Sequence, residues 1–351
     1  MIAKKKKISV IAICMTLIIC LFSGCGSGAD KDKDKKEGEG KKLKVVTTIF
    51  PAYDWSKKML GKNAKNADIT MLLDDGVDLH SYQPSAKDIA KISKCDVFVY
   101  VGGESDEWVK DALKEATNKK MAVINLMSKL GKSVKNEEVK EGMQAEHDHD
   151  HDKDKDHDHD KDKDHDHEHG EEPEKDEHVW LSLKNAKVCC AAISKALQKV
   201  DPENKDLYKQ NLKDYSKELS DLDKEYKKTV DSAKSKTLLF GDRFPFRYLV
   251  NDYGIEYFAA FVGCSAESEA SFKTVKFLAE KVDALGLKHI MTIEKNDHKI
   301  AKTIIKNTKA KNQDILTMDS MQATTGKDVK DGATYLDIMK NNLKVLKKAL
   351  N

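Results

Sequence analysis

The chain has 351 residues, a net charge of +2 and 35% charged residues. This length can accommodate two domains, and the nearly neutral charge excludes the strong basic field that attracts nucleic acid. We therefore expect a monomer with a well-solvated surface and no nucleic-acid partner.

The N-terminal residues 1–24 are predicted to be a signal peptide. "MIAKKKK" is positively charged, and the following apolar run "ISVIAICMTLIICLF" is too short for an ordinary membrane span. "FSGC" then leads to Cys25 and resembles the bacterial lipobox, in which cleavage leaves a lipidated cysteine as the first residue. We expect a lipid anchor at Cys25 on the extracytoplasmic face of the cell membrane, with residues 25–42 as a flexible tether. An ordinary secretory signal is the alternative.

Export also affects how the other cysteines are interpreted. No two of them have zinc-ribbon spacing, and an exported compartment permits disulfides that the sequence does not pair. Cys95 and Cys264 lie in apolar or small surroundings, so we predict that both are buried small residues. Four cysteines remain after the lipidation site: Cys95, Cys189, Cys190 and Cys264.

Residues 43–181 are predicted to form an N-terminal α/β lobe. A strand and a helix are expected within "LKVVTTIFPAYDWSKKML", and further strands at "ADITMLL", "DVFVYVG" and "MAVINLM". The helix in "SAKDIAKISK" has Ser85 as a candidate N-cap. Strands that alternate with helices indicate parallel βα units.

A polar tract from His147 to His169 reads "HDHDHDKDKDHDHDKDKDHDHEH" and holds eight of the chain's twelve histidines. Because it has nothing apolar to bury, we predict a disordered loop over residues 145–176. Imidazole and carboxylate suit divalent transition ions, although the tract is also consistent with a solvated insertion that has no role. Its candidate auxiliary metal ligands are His147, His149, His151, His157, His159, His165, His167 and His169.

The region 182–234 is predicted to be helical. After "DPENKD" the pattern runs for about thirty residues without a helix breaker, which corresponds to a helix of roughly 45 Å. Such a helix is long enough to link two lobes; a helical hairpin arm is the alternative. Its predicted apolar stripe consists of Leu207, Leu212, Tyr215, Leu219, Leu222 and Tyr226.

Residues 235–351 repeat the strand–helix alternation and are predicted to form a second α/β lobe. Strands are expected at "KTLLFG", "EYFAAFVG", "HIMTIE" and "DILTMDS". The predicted fold class is α/β, with two parallel-sheet lobes joined by a long rigid helix and a metal site in the cleft between them.

Residues with metal-binding side chains follow several of these strands. In open α/β sheets, ligands bind beyond the carboxyl ends of the strands. His80 follows "ITMLL", His178 begins the helix after the polar tract, Asp242 follows "TLLF", and Asp319 ends the last strand. Two imidazoles with carboxylate match the ligand preferences of Zn²⁺, with Mn²⁺ a weaker alternative.

The chain resembles the solute-binding lipoproteins of bacterial zinc and manganese ABC importers over nearly all of residues 43–351. The segments that carry this resemblance are "GVDLHSYQPSAKDIAKISKCDVFVYVG", "DEHVWLSLKNA", "DPENKDLYKQN" and "TMDSM" followed by "DGATYLDIMKNNLKVL". The resemblance implies that His80, His178 and Asp319 are metal ligands. It also implies a two-lobed fold with a rigid linking helix.

One departure from this family concerns the third metal ligand, a His or Glu that the resemblance places at Arg243. A guanidinium cannot ligate a metal. Asp242 is the first substitute, followed by Glu267 and Glu269; alternatively, Arg243 pairs with a ligating carboxylate.

The predicted function is capture of a divalent metal, most consistent with Zn²⁺, and its delivery to a membrane ABC permease, without catalysis. One rival is a zinc hydrolase that uses His80, His178 and Asp319, with Glu294 and His298 as further donors. The sequence has no HExxH motif, nucleophile elbow or phosphate loop. A second rival is adhesion at the cell surface on the same fold.

Overall fold

The computed structural model describes residues 42–144, 174–265 and 269–351. The predicted signal peptide, Cys25, the polar tract and Glu267 lie outside the described residues. All described residues belong to one unit, Lys42–Asn351. Within them, no helix combines the length and the apolarity needed to cross a bilayer.

The first lobe is built on a four-stranded parallel sheet in the order β2-β1-β3-β4. The two central strands carry most of the buried apolar residues, because helices cover both faces of a parallel sheet. The strands are β1 (Leu43–Thr47), β2 (Ala67–Met71), β3 (Val97–Tyr100) and β4 (Ala122–Asn125). The helices are α1 (Phe50–Leu60), α2 (Ala86–Lys94), α3 (Val109–Lys114) and α4 (Leu126–Leu130).

The start of α2 shows how local sequence fixes an element of this lobe. Ser85 accepts a hydrogen bond from the backbone N–H of Asp88, and the Asp88 carboxylate accepts one from the backbone N–H of Ser85. This reciprocal capping box satisfies two N–H groups that the helix itself leaves free. The predicted N-cap is therefore confirmed.

The second lobe repeats this strand order as β6-β5-β7-β8, again with all pairs parallel. In each sheet the second strand lies on one side of the first strand and the third strand lies on the other side. This reversal of strand order leaves a crevice at the carboxyl ends of the strands. The strands are β5 (Thr237–Phe244), β6 (Glu256–Val262), β7 (His289–Ile293) and β8 (Asp314–Met318). The helices after the linking region are α7 (Arg247–Tyr253), α8 (Phe272–Leu285), α9 (Lys299–Asn307), α10 (Gly326–Lys330) and α11 (Tyr335–Ala349).

Strand β5 differs from its prediction because it extends beyond "TLLF" and includes Asp242 and Arg243. The pairing with β6 shifts register between Phe240 and Arg243. A bulge of this kind re-aims the side chains that follow it. The bulge requires glycine at position 241, because a Cβ there would clash with the backbone of Ala301, 2.7 Å from its Cα.

The two lobes are joined by α5 (Leu183–Val200) and α6 (Lys205–Asp231), which confirms the predicted long helix. With 27 residues, α6 is about 40 Å long. Four residues of the predicted stripe are buried, whereas Leu207 and Leu212 are only half-buried and Tyr208 is buried in addition. One hydrophobic cluster contains residues of both sheets and of these helices, and a second cluster lies within the second lobe.

Candidate metal centre

His80 and His178, which are far apart in sequence, meet in the structure. His80 lies in the 3-10 turn Leu79–Ser81 after β2, and His178 precedes the turn Val179–Leu181 that leads into α5. Their Nε2 atoms are 3.3 Å apart. The His178 side chain is fully buried, and that of His80 is 13% exposed. The pairing places two imidazole nitrogens at one point in the protein.

Each imidazole is held by its other nitrogen. His178 Nδ1 lies 3.0 Å from the Asp176 carboxylate, which also accepts the backbone N–H of His178. His80 Nδ1 lies 2.8 Å from Ser105 Oγ and 3.5 Å from Glu177 Oε2. Partners of this kind fix the orientation and tautomer of histidines that bind metals.

The surroundings of His80 favour the neutral form of its ring. Burial, followed by the charge of the neighbouring His178, lowers the pKa of His80 to about 3. A neutral imidazole is the form that binds metal.

Arg243 pairs with Asp78 and does not face the histidines as a ligand. This ion pair joins β5 of the second lobe to the loop that carries His80. The Asp78 Oδ1 atom accepts the backbone N–H of His80 at 3.0 Å. Burial alone would raise the pKa of Asp78, but the Arg243 and His80 charges outweigh it and keep the pKa below its usual value. Arg243 therefore supports the His80 loop from the opposite lobe.

The two predicted carboxylates do not join the histidine pair. Asp242 accepts the backbone N–H groups of Ile293 at 3.0 Å and Arg243 at 2.9 Å. Asp319 accepts the N–H of Met321 at 2.7 Å, and burial, followed by repulsion from Glu294, raises its pKa to about 7. Carboxylates at strand ends commonly satisfy the next backbone turn, and both residues do so here.

The remaining donors considered from the sequence also have other partners. Glu269 is exposed and pairs with Lys299 at 2.9 Å. Glu294 accepts backbone N–H groups of Ser320, Gln322 and Ala323, which shapes the loop after β8. His298 precedes α9 with a positive φ of 60°. None of these three residues belongs to the group of donor atoms at His80 and His178.

Several residues at the site were missed by the sequence interpretation. Gln322 Nε2 lies 2.9 Å from His178 Nε2, and the Cys264 thiol lies beside both imidazoles. Cys95 is buried as predicted, but Cys264 is only half-buried. Neither of them forms a disulfide, and the same is true of Cys189 and Cys190. The position of Cys264 just beyond β6 is the signal that would have found it, because ligands lie past the carboxyl ends of strands.

The end of the predicted disordered loop is part of this site. Lys175 forms an antiparallel bridge with Asn136, and the N–H of Asp176 donates to the carbonyl of Lys135 at 2.9 Å. Residues 174–176 are therefore described, although they fall within the predicted loop 145–176. Tyr248 also donates to the Asp176 carbonyl at 2.7 Å, so the segment that orients His178 is tied to the second lobe.

A buried carboxyl behind the site gives a pH-dependent prediction. Burial raises the pKa of Asp106 from 3.8 to about 7, and the charge of Glu177 contributes. Because the folded state holds this proton more tightly than the unfolded chain does, stability falls as the pH rises from about 4 to about 7. We expect Asp106→Asn to raise the thermal midpoint at pH 8 more than at pH 5, by roughly 2–4 °C for each kcal/mol gained. An equal shift at both pH values would contradict this, and Asp111→Asn on the exposed face of α3 is the control.

Comparison with known proteins identifies the family. A family model described as "ZnuA: Zinc-uptake complex component A periplasmic" matches residues 45–349. The chain is 32% identical over 312 residues to the zinc-binding protein AdcA of Streptococcus pyogenes, covering 87% of this chain and 56% of that protein. It is also 32% identical over 310 residues to the high-affinity zinc uptake system protein ZnuA of Bacillus subtilis, covering 88% of each.

A solved structure gives the same result. The Zn(II)-bound ZnuA-like domain of Streptococcus pneumoniae AdcA matches with a TM-score of 0.65 and 27% identity, covering 88% of this chain and 99% of that domain. The chain spans little more than half the length of the streptococcal relatives, 56% for the protein from S. pyogenes. By their names, these relatives are metal-binding and transport proteins and not enzymes. The chain belongs to the ZnuA family, the periplasmic component A of zinc-uptake complexes.

Proposed function

We propose that this protein captures Zn²⁺ between His80 and His178 and delivers it to the permease of an ABC importer. The observation that carries the proposal is the 3.3 Å separation of the two Nε2 atoms. Two nitrogens bound tetrahedrally to one zinc at about 2.0–2.1 Å lie about 3.3–3.4 Å apart. The rings are thus spaced as zinc ligands are, and their Nδ1 partners orient them for that role.

Zinc is favoured over manganese by the chemistry of this pair. Buried imidazoles suit zinc, whereas manganese prefers carboxylate, carbonyl and water ligands. The Asp176 carboxylate contacts His178 Nδ1, both Asp242 oxygens accept backbone N–H groups, and Asp319 accepts one through Oδ1. The names of the relatives, which refer to zinc binding and zinc uptake, support the same cargo.

The polar tract is proposed to assist this site. Its C-terminal end rejoins the described chain only a few residues before His178. A tethered group of weak ligands raises the local concentration of the ion near the stronger site. We further propose that Cys25 carries a lipid that holds the protein at the extracytoplasmic face, close to the permease. Monomeric assembly and a role in adhesion stay predictions.

The test is zinc titration by calorimetry on two forms of the mature chain, one of which lacks residues 147–169. We expect one tight zinc per chain in both forms, because the cleft histidines remain; the weaker additional binding should disappear with the tract. If the deletion abolished tight binding, the cleft assignment would be wrong.

Delivery is tested separately in the source bacterium. A strain without this gene should grow poorly when zinc is limiting and recover with the wild-type chain. The tract-deleted chain should restore growth at moderate zinc limitation. Equal growth of the deletion and wild-type strains at every zinc level would rule against import and leave adhesion as the role to examine.

A further inference from the structure

Cys264 brings a third donor to the histidine pair from the other lobe. One nitrogen each from His80 and His178 and the sulfur of Cys264 all lie within 4.8 Å of one another. The histidines come from the first lobe and its connection to α5, whereas Cys264 follows β6 of the second lobe. The three donors therefore close around one point from both sides of the cleft.

The backbone around Cys264 is held in place by specific contacts. The Cys264 N–H donates to Glu137 Oε1 at 3.1 Å, and Arg243 donates to the Ser265 carbonyl at 3.4 Å. Gly263 lies against the His178 ring, since a Cβ there would be 3.0 Å from His178 Cε1 and 2.9 Å from the Phe244 carbonyl. Only glycine allows this close approach, which brings the next residue to the imidazoles.

We propose that Cys264 binds the captured ion as a thiolate, together with His80 and His178, in a His₂Cys site. The proposal rests on the zinc capture proposed above and names the donor that replaces the third ligand, whose expected position Arg243 occupies. Zinc accepts cysteine sulfur at about 2.3 Å, and three protein ligands leave one position for Gln322 or water. A thiolate favours zinc and other soft ions and disfavours manganese.

Binding displaces one proton from the thiol. The S–H bond breaks, the sulfur–metal bond forms, and the proton passes to Glu137, whose carboxylate is hydrogen-bonded to the Cys264 thiol, and from there to water. Without an ion the thiol stays protonated, because burial, and then the charges of Glu137 and Asp176, raise its pKa. A dication reverses this preference, as bound metals deprotonate the thiols that coordinate them.

Cobalt is a suitable probe because a thiolate bound to Co²⁺ absorbs in the near ultraviolet by charge transfer, and imidazole does not. The experiment titrates Co²⁺ into the mature chain with Cys25→Ser; the polar tract contains no sulfur and cannot produce the band. We expect the charge-transfer band to saturate at one Co²⁺ per chain. Cys264→Ser should abolish the band and weaken zinc binding by at least about tenfold. Removing a residue that only orients a ligand already costs about 10–100-fold, and a direct ligand should cost no less.

Cys95→Ala is the matched control, since this fully buried thiol packs against Met121 and should leave the band unchanged. Tight stoichiometric binding without the band, equal in wild type and Cys264→Ser, would overturn the thiolate and leave zinc capture intact. A band that persists in Cys264→Ser would also overturn it. Absence of stoichiometric binding to the wild-type chain would overturn both proposals.

Discussion

Replacing His178 by alanine is expected to weaken zinc binding by more than about 100-fold. This exceeds the 10–100-fold cost of losing a residue that only orients a ligand. His178 Nε2 would be lost from the pair, and Asp176 would lose the ring it orients. Competition with a chelator of known zinc affinity measures the change.

His80→Ala serves as a second variant because the His80 side chain is partly exposed and its loss disturbs the core less. It should produce a loss of similar size. The control is His289→Ala in β7, whose ring lies 3.9 Å from Asp314 at the surface of the second sheet. Zinc affinity within about threefold of wild type in both His80→Ala and His178→Ala would refute the site. A threefold change is less than about 1 kcal/mol of binding free energy, which is too little for a lost metal ligand.

The second large effect is expected at Trp180, which is fully buried beside the site. Its indole Nε1–H donates to the Ser320 carbonyl at 2.8 Å and so ties the entry to α5 to the loop after β8. We expect Trp180→Ala to lower the free energy of unfolding by about 3–5 kcal/mol, because the cavity and the unpaired carbonyl both cost stability. Urea unfolding followed by circular dichroism measures this change.

A smaller variant separates the two contributions at this position. Trp180→Phe keeps most of the apolar volume and removes the hydrogen bond, so a loss of about 1–3 kcal/mol is expected. Leu285→Ala is the control for a large-to-small change, since Leu285 is 47% exposed, and it should cost less than about 0.5 kcal/mol. If Trp180→Ala were no more destabilising than Leu285→Ala, Trp180 would not connect the lobes.

The fold followed closely from the sequence because each strand is a short apolar run bounded by polar turns. All eight strands found among the described residues occur where those runs predict them. Only β5 differed substantially, since the bulge at Gly241 depends on how closely α9 approaches it. That contact lies between residues about sixty positions apart, and no local pattern in the sequence records it.

The site could be predicted only in part. The structure brings together His80, which was predicted to follow a strand of the first sheet, and His178, which was predicted at the start of the helix after the polar tract. Asp242 and Asp319 also lie at strand ends, but they are not in the His80–His178 donor group, and Asp242 through both oxygens and Asp319 through Oδ1 accept backbone N–H groups. The direction of a side chain within a turn decides between these outcomes, and the sequence does not give it.

Cys264 illustrates the opposite error. Its neighbours in "AAFVGCSA" suggested a buried small residue, yet the half-buried thiol lies beside two imidazoles. The cause is Gly263, whose missing side chain lets this loop lie against the His178 ring. A glycine that permits an approach between distant segments is visible only after both segments have been positioned.

The two imidazoles of the candidate site are unequally buried, which gives the proposed capture of an ion a direction. His178 has no contact with solvent and is enclosed by Asp176, Trp180 and Gln322, so it forms the floor of the site. His80 sits on a short turn at the rim, held by Ser105 and by the Asp78–Arg243 ion pair. Under the proposed function, an arriving ion meets His80 before His178, because part of the His80 ring is exposed to solvent and none of the His178 ring is.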